Sequence, residues 1–175
     1  MEEIQDSLFT FMSIGTKGAA RERVSFISLL SNVLEALKPE IEKGKAEIRA
    51  DCDMEFVTDR VLLSLILKNL IENAIVYVRE GVRPEIEISC SADENYITIN
   101  VMDNGIGIPE DKREEIFRPF VRLHSVETYP GTGLGLSIVK KAVEMLEGFV
   151  GVYSNEKRGS TFYVRLPLRG RYGKA

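Results

Sequence analysis

The run Tyr96-Ile97-Thr98-Ile99-Asn100-Val101-Met102 leads directly into Asp103-Asn104-Gly105-Ile106-Gly107-Ile108-Pro109. The first part alternates apolar and polar residues with period two, the pattern of a half-buried strand. The second begins with a carboxylate, acceptor-only when ionised. It then carries two glycines, which tolerate positive φ and have no Cβ, so the backbone bends sharply and a ligand can come close. Taken alone, this is equally a hairpin turn after an edge strand. A second cluster, Gly131-Thr132-Gly133-Leu134-Gly135-Leu136, tips the reading. It opens an apolar-periodic run and so sits at a helix N-terminus, where unpaired N–H groups and the macrodipole favour phosphate.

The 175 residues suit one domain with a real core, and 44% hydrophobic with 29% charged residues is ordinary for a globular chain. A net charge of −4 leaves no basic excess for nucleic acid. No apolar run approaches the roughly 20 residues that span a bilayer, and MEEIQDSLFTF lacks the features of a signal peptide. Cys52 and Cys90 are too few and too isolated for a metal site or a disulfide framework, and read as reduced thiols. The expectation is a cytoplasmic domain without membrane contact of its own, from a parent that is either soluble or anchored elsewhere.

Along the chain, Ile4, Leu8, Phe11 and Met12 share one face of an initial helix that stops near Gly15-Thr16-Lys17-Gly18. This reads as the severed end of a longer helix. Val24-Ser25-Phe26 is strand-like. A helix over 29–43, kinked at Pro39, follows. Two short strands, 46–50 and 54–57, flank a turn at Asp51-Cys52-Asp53. Thr58 or Asp59 can cap a helix over 60–78, which carries Asn69 and Asn73 one turn apart on one side. Residues 85–90 and 96–101 form a hairpin around Asp93-Glu94-Asn95. A long charged segment through Pro130 reads as a functional lid. A helix over 132–147 and strands at 149–154 and 160–166 close the fold, followed by Pro167 and the basic tail Arg169 to Lys174.

Four motifs now stand in order, and together they resemble the catalytic and ATP-binding domain of sensor histidine kinases, in the ATPase superfamily of gyrase B, Hsp90 and MutL. Leu67-Lys68-Asn69-Leu70-Ile71-Glu72-Asn73-Ala74 matches the asparagine box. Asp103, Gly105 and Gly107 match the first glycine box. Phe117 to Phe120 matches the phenylalanine box, and Gly131 to Leu136 the second glycine box. Gly159-Ser160-Thr161-Phe162 matches the closing strand. Arg122-Leu123-His124-Ser125 and Tyr129-Pro130-Gly131 look closest to the phytochrome-like members.

The resemblance implies a two-layer α/β sandwich, a mixed sheet of about five strands with helices on one face. Residues 1–20 would be the tail of the dimerisation helix and linker, 21–170 the ATP-binding domain and 171–175 a tail. The phosphoacceptor histidine would lie upstream of Met1; His124 does not match its motif.

The implied ligands are ATP or ADP and Mg²⁺. The implied protein partners are the histidine-bearing dimerisation domain and, downstream, a response regulator. The fragment would be monomeric and the whole kinase a homodimer. Asp103 would accept from the adenine amine, and guanine, with a carbonyl there, would be disfavoured. Gly105, Gly107 and Ile108 would line the base, Tyr77 would wall it, and Thr161 would join them. Asn73 would offer oxygen to Mg²⁺, with Asn69 supporting from one turn earlier. N–H groups at Gly133, Leu134 and Gly135, with Gly131, Thr132 and Leu136 around them, would cradle phosphates. Arg122 would clamp the β- or γ-phosphate. Phe117 and Phe120 would anchor the lid by packing.

Asn69 stands where gyrase-like and Hsp90-like members carry a water-activating glutamate, and an amide cannot be a general base. The same substitution, with the long lid, argues against a serine kinase of the anti-sigma-factor type. Two departures are visible. Val76 replaces the family's lysine, which lowers the expected phosphate affinity and keeps open the alternative of a degenerate, regulatory nucleotide module. Leu146-Glu147-Gly148 stands where a glycine pair is usual.

Overall fold

The computed structural model describes residues 2–155 and 158–168. The basic tail and the outer domain boundaries expected at 170 and 171 lie outside that range. In chain order the elements are α1 (Glu2–Ser13), β1 (Arg21–Ser25), α2 (Phe26–Ala36), α3 (Lys38–Gly44), β2 (Glu47–Asp51), β3 (Glu55–Asp59), α4 (Arg60–Val76), β4 (Glu85–Ala92) and β5 (Tyr96–Asp103). Two 3₁₀ turns follow, Glu110–Lys112 and Glu115–Phe117. Then come α5 (Gly135–Met145), β6 (Phe149–Asn155) and β7 (Gly159–Pro167).

The main sheet has five strands in the order β2-β4-β5-β7-β6, and β1 pairs with β3 in a separate ribbon. Only β2 and β4 run parallel; the other neighbours in the main sheet are antiparallel. The expected mixed five-stranded sheet is therefore present. Period-two alternation puts Ile86 and Ile88, Ile97, Ile99 and Val101, and Phe162, Val164 and Leu166 on one buried face. Tyr96, Met102, Tyr163 and Arg165 take the other. The buried face meets the helices in one core, with α4 at its centre. Leu63, Ile66, Leu67, Leu70, Ile71, Ala74 and Ile75 are all buried, too many for a single stripe. A smaller cluster, Ile14, Leu134 and Ile138, joins the end of α1 to α5. Lys141 supports it from over the Phe11 ring, 4.5 Å from the centroid. α1 itself buries nothing fully, and Ile4, Phe9 and Met12 stay exposed. No helix among the described residues is long and apolar enough to cross a membrane.

Three expectations change. The single kinked helix over 29–43 is two helices broken at Leu37 (φ −93°, ψ 6°), and Pro39 lies in the first turn of α3, where its missing N–H costs nothing. The segment before it turns helical at Phe26, one residue earlier than a strand reading allows. The two strands expected around Asp51-Cys52-Asp53 are present and belong to different sheets, since β2 joins the main sheet through β4 while β3 pairs with β1. Finally, Cys52 and Cys90 form a disulfide, with Cα atoms 5.2 Å apart, instead of standing as reduced thiols. The parallel register sets Asp51 opposite Ser89, so the next residues, Cys52 and Cys90, come level. A sequence separation of 38 residues hides this, because only the β2–β4 crossover aligns them. The cysteines therefore no longer argue for a reducing compartment.

The unusual Leu146-Glu147-Gly148 corner has a visible local consequence. Glu147 takes φ +60°, a conformation glycine adopts at lower cost. A side chain at Gly148 would strike the Leu166 side chain, 2.8 Å away.

Two predictions follow from these contacts. Asp59 caps α4 by accepting from Leu62 N–H (2.9 Å) and also accepts from Ala20 N–H (2.6 Å). Asp59→Ala should therefore cost about 2 kcal/mol, read from the urea midpoint; an unchanged midpoint would mean solvent replaces both bonds. The disulfide closes a loop of 38 residues that contains all of α4. Reduction should lower stability by about 3–4 kcal/mol on loop-closure grounds, and Cys52→Ala/Cys90→Ala should be blind to reductant.

Candidate functional site

The site is built around the end of β5. Asp103 Oδ1 accepts from Gly105 N–H (2.8 Å), within its own bend, and from Ser160 N–H (3.1 Å) at the start of β7. Burial pushes the carboxyl up to about 6, against the two N–H groups that favour its charged form. Asn104 fastens the bend to the segment before β4, donating to the Arg83 carbonyl and accepting from Glu85 N–H, both at 2.9 Å. Gly105 has no room for a side chain. A Cβ there would run into the Tyr77 carbonyl oxygen and lie 2.8 Å from Asp103 Oδ1. Gly107 sits at φ +77°. Ile108 N–H donates to Ser154 Oγ (2.6 Å), which ties the exit of the bend to β6.

Tyr77, the C-cap of α4, links the two glycine clusters. Its carbonyl accepts from Ile106 N–H at 3.0 Å. Its hydroxyl lies 3.9 Å from where a Cβ at Gly131 would stand. One turn back, Asn69 and Asn73 present their Oδ1 atoms to the start of α5. A Cβ at Gly135 would lie 3.2 Å from Asn69 Oδ1 and 3.8 Å from Asn73 Oδ1. The Asn69 amide is held in place by donating to the Leu65 carbonyl at 2.8 Å. α5 starts at Gly135 with Leu134 as its N-cap, so the N–H groups of Gly135 and Leu136 lie in its unpaired first turn and Gly131 to Gly133 lead into it. Leu134 N–H is the partial exception, donating to Thr132 Oγ1 at 3.2 Å, and the Leu134 side chain is wholly buried. Leu136 packs on the main core. Val76, the last residue of α4, is half-buried. Glu72 points elsewhere: its ion pair is with Lys68 (3.7 Å), and desolvation raises its carboxyl.

Three placements differ from expectation. Thr161 pairs across the sheet with Met102, on the face turned away from Asp103. The residue at the Asp103 carboxylate is Ser160, whose hydroxyl also meets Ser154 Oγ at 3.0 Å. Period-two alternation would have chosen Ser160 over Thr161, but only once the β5–β7 register was known. Arg122 does not project as a free clamp. Its Nη1 and Nη2 donate to the carbonyls of Gly131 and Tyr129, so it staples its own lid. Phe117 packs as expected, buried and edge-on to Phe162 at 6.3 Å. Phe120 does not; it is 59% exposed, at φ +63°, because its N–H must reach the Gly133 carbonyl (2.9 Å). Sequence reasoning also missed the ring pairs of the lid, Tyr129 with Tyr77 and His124 with Tyr129, which no local pattern signals.

The site thus joins a half-buried carboxylate, two amide oxygens, a helix N-terminus and an aromatic ring. That combination suits a ligand with a hydrogen-bonding base at one end and phosphates at the other. Asp103 also sets a pH dependence. Its folded-state carboxyl lies at about 6, above the ordinary 3.8. The stability it contributes is full below 3.8 and is lost as pH rises through about 6. Asp103→Asn keeps the Oδ1 acceptor and removes the charge. The variant should match the parent at pH 4 and exceed it by about 1–3 kcal/mol at pH 7 in urea unfolding. The same pH profile in both proteins would contradict this.

Comparison with known proteins places the chain among relatives. The family model for histidine kinase-, DNA gyrase B- and HSP90-like ATPases matches residues 58–170. The autoinducer 2 sensor kinase/phosphatase LuxQ of Vibrio parahaemolyticus is 35% identical over 172 residues, 93% of this chain and 20% of its own length. The phytochrome-like protein Cph1 of Synechocystis is 34% identical over 168 residues, 96% of this chain and 22% of its own. The chain therefore spans about a fifth of the length of these curated sensor kinases. Full-length ShkA, solved in complex with AMPPNP, superposes with a TM-score of 0.79 at 26% identity, over 94% of this chain and 35% of that one. From the cap of α4 to the end of β7, with the Asp103 bend, the asparagine pair and the glycine-started α5 between them, this chain belongs to the histidine kinase-, DNA gyrase B- and HSP90-like ATPase family.

Proposed function

We propose that this chain binds Mg-ATP and donates its γ-phosphoryl group to a histidine on a separate dimerisation domain of a two-component sensor kinase. In this reading 21–170 is the catalytic domain and 1–20 the tail of the dimerisation helix. A response regulator takes the phosphoryl group further, and the whole kinase is a homodimer. The observation that carries the proposal is the meeting of Asn69 and Asn73 with Gly135 at the N-terminus of α5, in one site with Asp103.

Each residue has a task in this reading. Asp103 accepts from the adenine amine, with Gly105, Gly107 and Ile108 around the base and Ser160 taking the place expected for Thr161. Tyr77 walls the base. The first turn of α5 and the cluster before it, Gly131 to Gly135, donate N–H groups to phosphate. Asn73 and Asn69 would hold Mg²⁺. The described residues contain no group of three or more His, Cys, Asp or Glu suited to a metal, and paired amide oxygens fit an ion that takes few protein ligands and completes its shell with water and phosphate. The ion supplies charge neutralisation at the phosphates. Arg122, stapled beside Gly131, lies at the phosphate end and can add charge there if its lid contacts are exchanged. Asn69 is an amide where a general base would stand, and Glu72 is engaged with Lys68. The site therefore holds ATP for transfer and disfavours hydrolysis.

The test has two parts. Calorimetry should show Mg-ATP binding that weakens as pH falls from 7 to 5 and Asp103 takes its proton; in Asp103→Asn the pH dependence should be flatter than in the parent. With γ-labelled ATP the chain should not label itself, and a separate helix pair bearing the acceptor histidine should become labelled. Stable label on His124 would overturn the assignment of the acceptor to another domain. Failure to bind any adenine nucleotide would leave a degenerate, regulatory module.

A further inference from the structure

The lid carries a feature that the binding roles above do not use. The Tyr129 ring lies on the Tyr77 ring, with centroids 5.4 Å apart and planes inclined by 37°. His124 also meets the Tyr129 ring, with centroids 5.3 Å apart and planes inclined by 65°. Two stacked layers on either side of an inserted base need about 7 Å between the outer rings. A base therefore cannot enter between Tyr77 and Tyr129 as they stand. Tyr77 runs from the Asp103 bend, through its carbonyl and Ile106, to Gly131 at its hydroxyl. A ring covering it lies across the path from the base end of the site to the phosphate end.

The same residue also occupies the lid's cation. The Tyr129 carbonyl accepts from Arg122 Nη2 and the Gly131 carbonyl from Nη1, while Arg122 Nε is buried without a partner. None of the ion pairs among the described residues includes Arg122. A guanidinium held only by neutral carbonyls gains when an anion replaces them. One movement of Tyr129 would uncover the Tyr77 ring and release half of the Arg122 staple.

We propose that Tyr129 is the gate of this site: its ring holds the place on Tyr77 that a purine takes, and its carbonyl holds the Arg122 guanidinium that phosphate takes. An adenine nucleotide exchanges both contacts together, base for ring and phosphate for carbonyl. His124 positions the gate by its contact with the ring. The inference rests on the reading that nucleotide stacks on Tyr77. It adds that Tyr129 is displaced on binding and does not form a second wall.

The experiment is stopped-flow association of a fluorescent methylanthraniloyl-ADP with Mg²⁺, using the full chain and its Tyr129→Ala, Tyr129→Phe and His124→Ala variants. An aromatic pair of ordinary strength that must open first predicts association about twofold to tenfold faster in Tyr129→Ala. Tyr129→Phe, which keeps the ring, should retain the parent rate, and His124→Ala should fall between. In parallel, with ring-labelled tyrosine, proton contacts between Tyr77 and Tyr129 should be present in the free protein and disappear at saturating ADP. That readout needs no variant and so does not depend on any substitution folding. Binding with an unchanged or slower rate in Tyr129→Ala, or ring contacts that persist at saturation, would overturn the gate alone. Absence of nucleotide binding in every variant would overturn the gate together with the nucleotide reading beneath it.

Discussion

A single carboxylate oxygen, half-buried at the end of β5, holds the site together. Asp103 Oδ1 takes an N–H from Gly105, two residues ahead, and another from Ser160, which sequence places 57 residues away. The first bond forms the bend; the second locks that bend to β7. Burial of a charge-bearing group is unfavourable unless its hydrogen bonds are supplied, and here the backbone supplies them on one oxygen. The upward push on the carboxyl shows that desolvation still outweighs those two bonds. A partner that donates to the carboxylate relieves this imbalance, which gives the site a reason to bind a ligand with an exposed N–H.

Close approach is the second constraint. Gly105 lies against the Tyr77 carbonyl, Gly135 against Asn69, and Gly159 (φ +95°) against the Asp103 carbonyl. Each glycine lets one element of the site touch another without a Cβ between them. α4 is the common neighbour of the first two contacts. Buried on several sides, it carries the asparagines on a helix that cannot turn without disturbing the core. Beyond the buried Phe117, the lid from Phe120 to Pro130 is fastened more lightly, with a backbone bond between Phe120 and Gly133, the Arg122 staple and tilted ring contacts among its ties. Segments held by few buried apolar contacts open at lower free energy than the core they cover. The division suits a rigid floor and an exchangeable cover.

What the chain declared by itself was the set of local signals. The alternation in Tyr96 to Val101, the Asp-x-Gly-x-Gly bend, the asparagines one turn apart and the glycine-started helix are short-range patterns. Each follows from the side-chain period of a strand or helix or from the missing Cβ of glycine. They were enough for the sheet-and-helix architecture, and they named Asp103, Asn69, Asn73 and Gly135, which the fold draws to the ends of β5 and α4 and the start of α5. What only the tertiary structure decided were matters of register and pairing. Ser160 replaces Thr161 at Asp103 because β7 pairs with β5 in one register, and shifting by one residue swaps the faces. Cys52 meets Cys90 because β2 runs parallel to β4 after a crossover. Arg122 turns onto the carbonyls of Tyr129 and Gly131, and Phe120 turns outward, because the lid closes on itself at Gly133. Such contacts depend on where distant backbone segments are brought together, and no periodicity within either segment encodes that distance.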